Sequence, residues 1–98
     1  MAQATLSTHV LDTAYGRPRQ GVRVALFQGE HLVASEETDA DGRIRSLGTD
    51  LAPGEYRLVF TLGGGYFHEI ALVVRLDGGH HHVPLLVSPF GATTYRGS

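Results

Sequence analysis

Turn-forming residues interrupt this chain about every ten residues, and that spacing constrains its fold more than any other feature. The 98 residues include 13 glycines and 4 prolines. Between them lie short stretches rich in β-branched and aromatic residues, the pattern of a sandwich or barrel. No segment sustains an i, i+3, i+4, i+7 apolar pattern over a helical length. The sequence predicts eight strands. They run from Thr5 to Thr13, Gly21 to Gln28, His31 to Thr38, Arg43 to Leu47, Glu55 to Leu62, Tyr66 to Asp77, His80 to Ser88 and Ala92 to Arg96. Turns at Tyr15-Gly16-Arg17-Pro18, Asp39-Ala40-Asp41-Gly42, Pro53-Gly54 and Asp77-Gly78-Gly79 separate them.

A chain of 98 residues makes a single domain, residues 1–98. A domain this small buries only about 60–65% of the surface its unfolded chain exposes, so subunit association would add stability. The formal net charge is −2, with both signs spread along the chain. No basic stripe offers a footprint for nucleic acid. No apolar run approaches the roughly 20 residues a membrane helix needs. The opening Met1-Ala2-Gln3-Ala4-Thr5 lacks the basic and apolar regions of a secretory signal. There is no cysteine, which excludes disulfides and thiol chemistry and fits a reducing, cytoplasmic setting.

Six histidines stand at 9, 31, 68, 80, 81 and 82. Side chains alternate faces along a strand. On the first strand Leu6, Thr8 and Val10 point one way, and Ser7, His9 and Leu11 the other. On the seventh, His81 shares the core parity of Val83, Leu85 and Val87, while His80 and His82 face out. On the fourth, Ile44 suits the core and Arg43 and Arg45 face out. On the eighth, Thr94, Arg96 and Ser98 share one face and Tyr95 takes the other. One reading is a polar cluster of His9, Arg43, His82 and Arg96 on an exposed sheet face; the other is a set of solvated surface residues. The His80-His81-His82 run is open to a zinc reading, with His9 as third ligand beside His80 and His82. It also reads as a strand start carrying one catalytic imidazole. No HExxH, CxxC, GxSxG, P-loop or dinucleotide fingerprint is present.

Leu6-Ser7-Thr8-His9-Val10-Leu11-Asp12-Thr13, Gly16-Arg17-Pro18 and Thr38-Asp39-Ala40-Asp41-Gly42-Arg43 resemble the corresponding parts of 5-hydroxyisourate hydrolases, the transthyretin-related enzymes. So do His80-His81-His82-Val83-Pro84-Leu85-Leu86-Val87-Ser88-Pro89-Phe90-Gly91 and the final Tyr95-Arg96-Gly97-Ser98. The resemblance implies an all-β, transthyretin-like (prealbumin-like) sandwich of two four-stranded sheets. It implies a homotetramer, a dimer of dimers, with sites in a cleft to which two subunits contribute. Most members have His-Tyr-His where this chain has His80-His81-His82, so the inward His81 needs a hydrogen-bond partner. Most also carry a short helix after the fifth strand. Gly63-Gly64-Gly65-Tyr66-Phe67-His68-Glu69-Ile70 is too short to hold it, and a tight, helix-free connection is expected.

The resemblance further implies hydrolysis of 5-hydroxyisourate to 2-oxo-4-hydroxy-4-carboxy-5-ureidoimidazoline in urate degradation, with no cofactor and no metal. Carried over residue by residue, His9, Arg43, His82 and Ser98 are the catalytic candidates. Arg96, Tyr95 and Gly97 are the substrate-binding candidates. His9 and His82 would share the base and acid roles, since imidazole titrates near neutrality. Guanidinium groups would hold carbonyl oxygens and developing oxyanion charge. Ser98, with its hydroxyl and α-carboxylate, would orient water or substrate. The rival from another class is a non-enzymatic transthyretin-like carrier or interaction module, which needs an apolar channel.

Overall fold

Alternation of apolar and polar residues builds two layers around one core. The computed structural model describes residues 3–98. The strands are β1 (Ala4–Asp12), β2 (Arg17–Pro18), β3 (Arg23–Gln28), β4 (His31–Glu37), β5 (Arg43–Ile44), β6 (Gly54–Thr61), β7 (Glu69–Leu76), β8 (Gly79–His82), β9 (Leu85–Ser88) and β10 (Gly91–Thr94). One sheet has four strands in the order β4-β3-β6-β7. The other has six segments, with β10-β9-β1-β2 as its path and β5 and β8 also paired to β1. The described residues contain no helix.

The core faces follow the parity read from the sequence. Leu6, Thr8 and Val10 of β1 are buried, as are Val24 and Leu26 of β3, Tyr56, Leu58 and Phe60 of β6, and Leu85 and Val87 of β9. Phe60 and Leu58 are wholly shielded from solvent; each such side chain contributes about 1.5–3 kcal/mol by its removal from water. The Thr8 hydroxyl survives burial because it donates to the Val83 carbonyl at 2.6 Å. His81 is buried too, and its Nε2–H donates to the Asp77 carbonyl at 2.9 Å. That is the partner an inward histidine needs.

Ten segments appear where eight strands were expected, for local reasons. The seventh expected strand divides into β8 and β9 around Pro84, which has no N–H for the ladder. The register is the same on both sides of the gap: Ser7 faces His82 and Val10 faces Leu85. The fourth strand pairs only at Arg43 and Ile44, and Leu47 returns to β1 through a single bond to the Leu6 carbonyl. Arg17 and Pro18, expected as a turn, pair with Asp12 and Leu11. Between β6 and β7 the chain closes tightly, with the Leu62 N–H donating to the His68 carbonyl at 2.8 Å.

Gly42 ends the turn before β5 with φ +74°, and a Cβ there would meet the Val10 carbonyl oxygen at 2.5 Å. Neither the backbone conformation nor the space suits a side chain. Gly42→Ala is expected to lower unfolding stability by about 2–3 kcal/mol. Gly64→Ala, at a glycine with open space around it, should stay within about 0.5 kcal/mol of the parent. Denaturant midpoints of the two variants check this; equal midpoints would contradict it.

Candidate active site

Strand β1 pairs along both edges, and its outward side chains therefore have neighbours on either side. On one edge His9 lies opposite Arg43 of β5. On the other, Thr5 lies opposite His80 and Ser7 opposite His82, both of β8. Directly opposed residues share a face, so Ser7, His9, Arg43, His80 and His82 project from one side of the sheet. His82 in turn bridges to Gly97, whose N–H donates to the His82 carbonyl at 2.6 Å.

The turn before β5 shapes one half of this face. Asp39 Oδ1 accepts from the Asp41 N–H at 2.9 Å and from the Arg43 N–H at 3.0 Å. The bond from the Arg43 N–H foremost holds the Asp39 carboxyl below its usual range; desolvation opposes it, and the Asp41 N–H and the charges of Arg45 and Arg43 add to the lowering. The turn thereby presents the Asp41 carbonyl to His9, whose Nε2 lies 2.9 Å away. A carbonyl oxygen only accepts, so Nε2 carries the proton and neutral His9 keeps its lone pair on Nδ1.

The other half is a chain of side-chain hydrogen bonds. Thr5 Oγ1 meets His80 Nδ1 at 2.7 Å, His80 Nε2 meets Ser7 Oγ at 2.9 Å, and Ser7 Oγ meets His82 Nδ1 at 2.8 Å. Sequence reasoning put Ser7 on the outward face beside His9 but gave it no role; its parity was the available signal. Gly97 packs on the His82 ring, and a Cβ at that position would stand 2.6 Å from Cδ2. Any side chain there would push the imidazole aside. Gly97 is thus a seat for His82.

Tyr95 and Arg96 lie elsewhere in this chain. β10 stops at Thr94, and pairing resumes only at Gly97. Strand alternation is broken over Tyr95 and Arg96, so the parity expected to carry Arg96 onto the His82 face does not run through. Tyr95 and Arg96 instead line a groove of about 490 Å³ beside His81, Val83 and the β7 residues 71–76. Ser98 is exposed. A smaller depression of about 190 Å³ lies on the polar face, lined by Ser7, Thr8, Arg43, Ile44, Arg45 and His80. Among the described residues the ion pairs are Arg23–Glu37 at 2.9 Å and Arg75–Asp77 at 3.6 Å. Arg43 is in neither, which leaves its guanidinium available to an oxygen-rich ligand.

The zinc reading needed His9, His80 and His82 to converge. Among the described residues no three His, Asp or Glu side chains are arranged to hold a metal ion. The Ser7 hydroxyl lies between the His80 and His82 rings, and the Asp41 carbonyl holds His9.

Partial burial pushes the His82 imidazole below its ordinary pKa of 6.5, and the positive charges of Arg43, His9 and His80 push it further down. The unfolded chain therefore binds more protons at this residue, and its contribution to stability is lost as pH falls below 6.5. An NMR titration of ring carbon-bound protons should show His82 titrating below 6.5, and Arg43→Gln should move its midpoint up. No upward movement in Arg43→Gln would contradict this arrangement of charge.

The sequence and the fold have counterparts among known proteins. Residues 6–97 match the HIUase/Transthyretin family. A 5-hydroxyisourate hydrolase of Caulobacter vibrioides is 45% identical, over 95% of this chain and 97% of that protein. The structure of Klebsiella pneumoniae 5-hydroxyisourate hydrolase superposes with a TM-score of 0.91 at 34% identity, covering 100% of both chains. Sea bream transthyretin, solved with thyroxine, shares the fold at a TM-score of 0.83 and 24% identity, over 94% of this chain and 93% of that one. Carrying both this sandwich and these matches along nearly its full length, the chain belongs to the HIUase/Transthyretin family.

Proposed function

We propose that this protein is a 5-hydroxyisourate hydrolase, converting 5-hydroxyisourate to 2-oxo-4-hydroxy-4-carboxy-5-ureidoimidazoline in cytoplasmic urate degradation. The observation that carries this reading is the placement of His9, Arg43 and His82 on one face of β1 and its neighbours, in a chain 45% identical to a 5-hydroxyisourate hydrolase.

The reaction opens a ring by hydrolysis of an amide bond. Water adds to the carbonyl carbon, the carbon–nitrogen bond breaks, and the nitrogen leaves with a proton. His9 is the general base: its Nε2–H is committed to the Asp41 carbonyl, so its Nδ1 takes the proton of the attacking water. Arg43, free of any ion pair among the described residues, holds the carbonyl oxygen as negative charge develops. His82 supplies the proton to the leaving nitrogen. Its lowered pKa keeps the imidazole neutral near pH 7, and a neutral ring bearing Nε2–H is a competent donor to a developing amide anion. Arg96 and Tyr95 bind substrate and Ser98 orients it or the water. Arg96 and Tyr95, which line a different groove in their own chain, reach the polar face through subunit association in a homotetramer, a dimer of dimers. The half-buried Ile70, Leu72 and Val74 of β7 give such association apolar surface to cover. No metal or cofactor enters this scheme.

The carrier reading has the groove of about 490 Å³ along β7 in its favour, because that groove is largely apolar. A carrier, however, has no use for the pairing of His9 with Arg43, or for a glycine that seats an imidazole.

Freshly generated 5-hydroxyisourate should lose its ultraviolet absorbance far faster with the protein than in buffer. His82→Ala should cost about 10²–10⁴-fold in kcat. Deleting Arg96-Gly97-Ser98 should abolish turnover while leaving the circular dichroism of the sandwich intact, because these residues add little core. Exhaustive chelation should leave the rate unchanged. Wild-type decay equal to that in buffer would overturn the hydrolase reading, and activity lost to EDTA and restored by zinc would establish the metal rival.

A further inference from the structure

Two side chains beside the proposed site have no part in the scheme so far, although they are bonded to it. Ser7 Oγ is within hydrogen-bond distance of two imidazoles, His82 Nδ1 at 2.8 Å and His80 Nε2 at 2.9 Å, and His80 Nδ1 meets Thr5 Oγ1 at 2.7 Å. A hydroxyl has one proton to donate. Ser7 therefore donates to one ring and accepts from the other, and the direction it takes sets both tautomers. If Ser7 donates to His80, His82 must hold its proton on Nδ1 to donate to Ser7, and Nε2 is bare. If Ser7 donates to His82 Nδ1, His82 carries its proton on Nε2, and His80 Nε2–H donates to Ser7.

We propose that Ser7 and His80 are positioning residues that hold the proton of His82 on Nε2, making it the acid that complements His9 as base. The inference rests on the hydrolase reading for its catalytic meaning, though the tautomer is a property of the folded protein alone. Two arguments fix the direction. His9 is already committed, through the Asp41 carbonyl, to a bare Nδ1. A second bare nitrogen would leave the departing amide nitrogen without a donor. His80, moreover, is exposed and bonded at both nitrogens. Whenever it is protonated both nitrogens are donors, so its Nε2–H points at Ser7 and turns the Ser7 proton toward His82. Thr5 Oγ1 then accepts from His80 Nδ1.

The chain also provides a path for the proton. When His82 Nε2–H passes to the leaving nitrogen, His82 Nδ1 takes the Ser7 proton and Ser7 takes the His80 Nε2 proton. Where His80 enters the step as imidazolium it ends neutral on Nδ1–H, so one proton is delivered and His82 is left neutral rather than anionic. The groups facing His82 are Arg43 of β5, His9 of β1 and His80 of β8. All three are basic, so the chain ends at the exposed His80, where a positive charge is solvated rather than held between Arg43 and His9.

The test combines nitrogen NMR of the imidazoles with steady-state kinetics on the intact protein. Long-range ¹⁵N–¹H correlation should show neutral wild-type His82 protonated on Nε2. In Ser7→Ala the ring should become a mixture of tautomers, and in Ser7→Thr, which keeps the hydroxyl, it should return to Nε2–H. Ser7→Ala and His80→Gln should each lower kcat by about tenfold to a hundredfold, as loss of an orienting partner typically does, with KM within about twofold of wild type. Ser7→Thr should recover most of the lost kcat. His82 protonated on Nδ1 in the wild type, or Ser7→Ala with unchanged kcat, would overturn the proposal. If wild type is inert toward 5-hydroxyisourate yet shows the expected tautomers, the hydrolase reading fails and the hydrogen-bond chain stands.

Discussion

The two-edged pairing of β1 is the constraint on which the rest depends. The backbone groups of Ala4, Leu6 and Val10 go to one side, to Leu51, Leu47, Gly42 and Arg19. Those of Gln3, Ser7 and Thr13 go to the other, to Gly79, Val83 and Val87. A strand paired on both edges has a fixed register, and a fixed register fixes which side chains face water. Inward, β1 gives Leu6, Thr8 and Val10 to the core. Outward, it gives Ser7 and His9 to a polar face. A slip of one residue would exchange these sets, burying an imidazole and exposing three core side chains. Core and candidate site are therefore two faces of one strand, and the energy that holds the first positions the second.

Each functional side chain on that face is also set by a backbone feature with little freedom. The Asp39 carboxylate and the left-handed Gly42 make the turn from which Arg43 emerges, and the same turn offers the Asp41 carbonyl to His9. Gly97 leaves room for the His82 ring while its N–H anchors the chain end to the His82 carbonyl. The two glycines act by what they omit. A methyl group at Gly42 would strike β1 itself, and one at Gly97 would strike the imidazole. This arrangement explains how a small domain rich in turns holds a polar site without disulfides or a metal cluster among its described residues.

Much of this was legible from side-chain alternation. The inward set Leu6, Thr8 and Val10, the outward pair His9 and His82, the inward His81 with its need for a partner, and the helix-free link after β6 all follow from period-two patterning and segment length. What the sequence did not convey is where pairing stops. Pro84 splits one expected strand, and the break after Thr94 interrupts the alternation that was expected to place Arg96 beside His82. Parity is reliable only along a continuous ladder. The hydrogen bonds through Ser7 and the Asp41 carbonyl were also out of reach, because they depend on distances between residues 32 and 75 positions apart in the chain.

The central claim is that the polar face built around the outward side of β1, with His9, Arg43 and His82, opens the substrate ring, and that the opposite sheet supplies no catalytic group. Histidines on the two sheets test it within one assay, since His9 lies on β1 and the exposed His31 lies on β4 of the opposite sheet. The measurement is the rate of 5-hydroxyisourate loss with His9→Ala and with His31→Ala. The account predicts a fall of about a hundredfold or more for His9→Ala and a rate within about twofold of wild type for His31→Ala. Full activity in His9→Ala, or a comparable loss in His31→Ala, would contradict it.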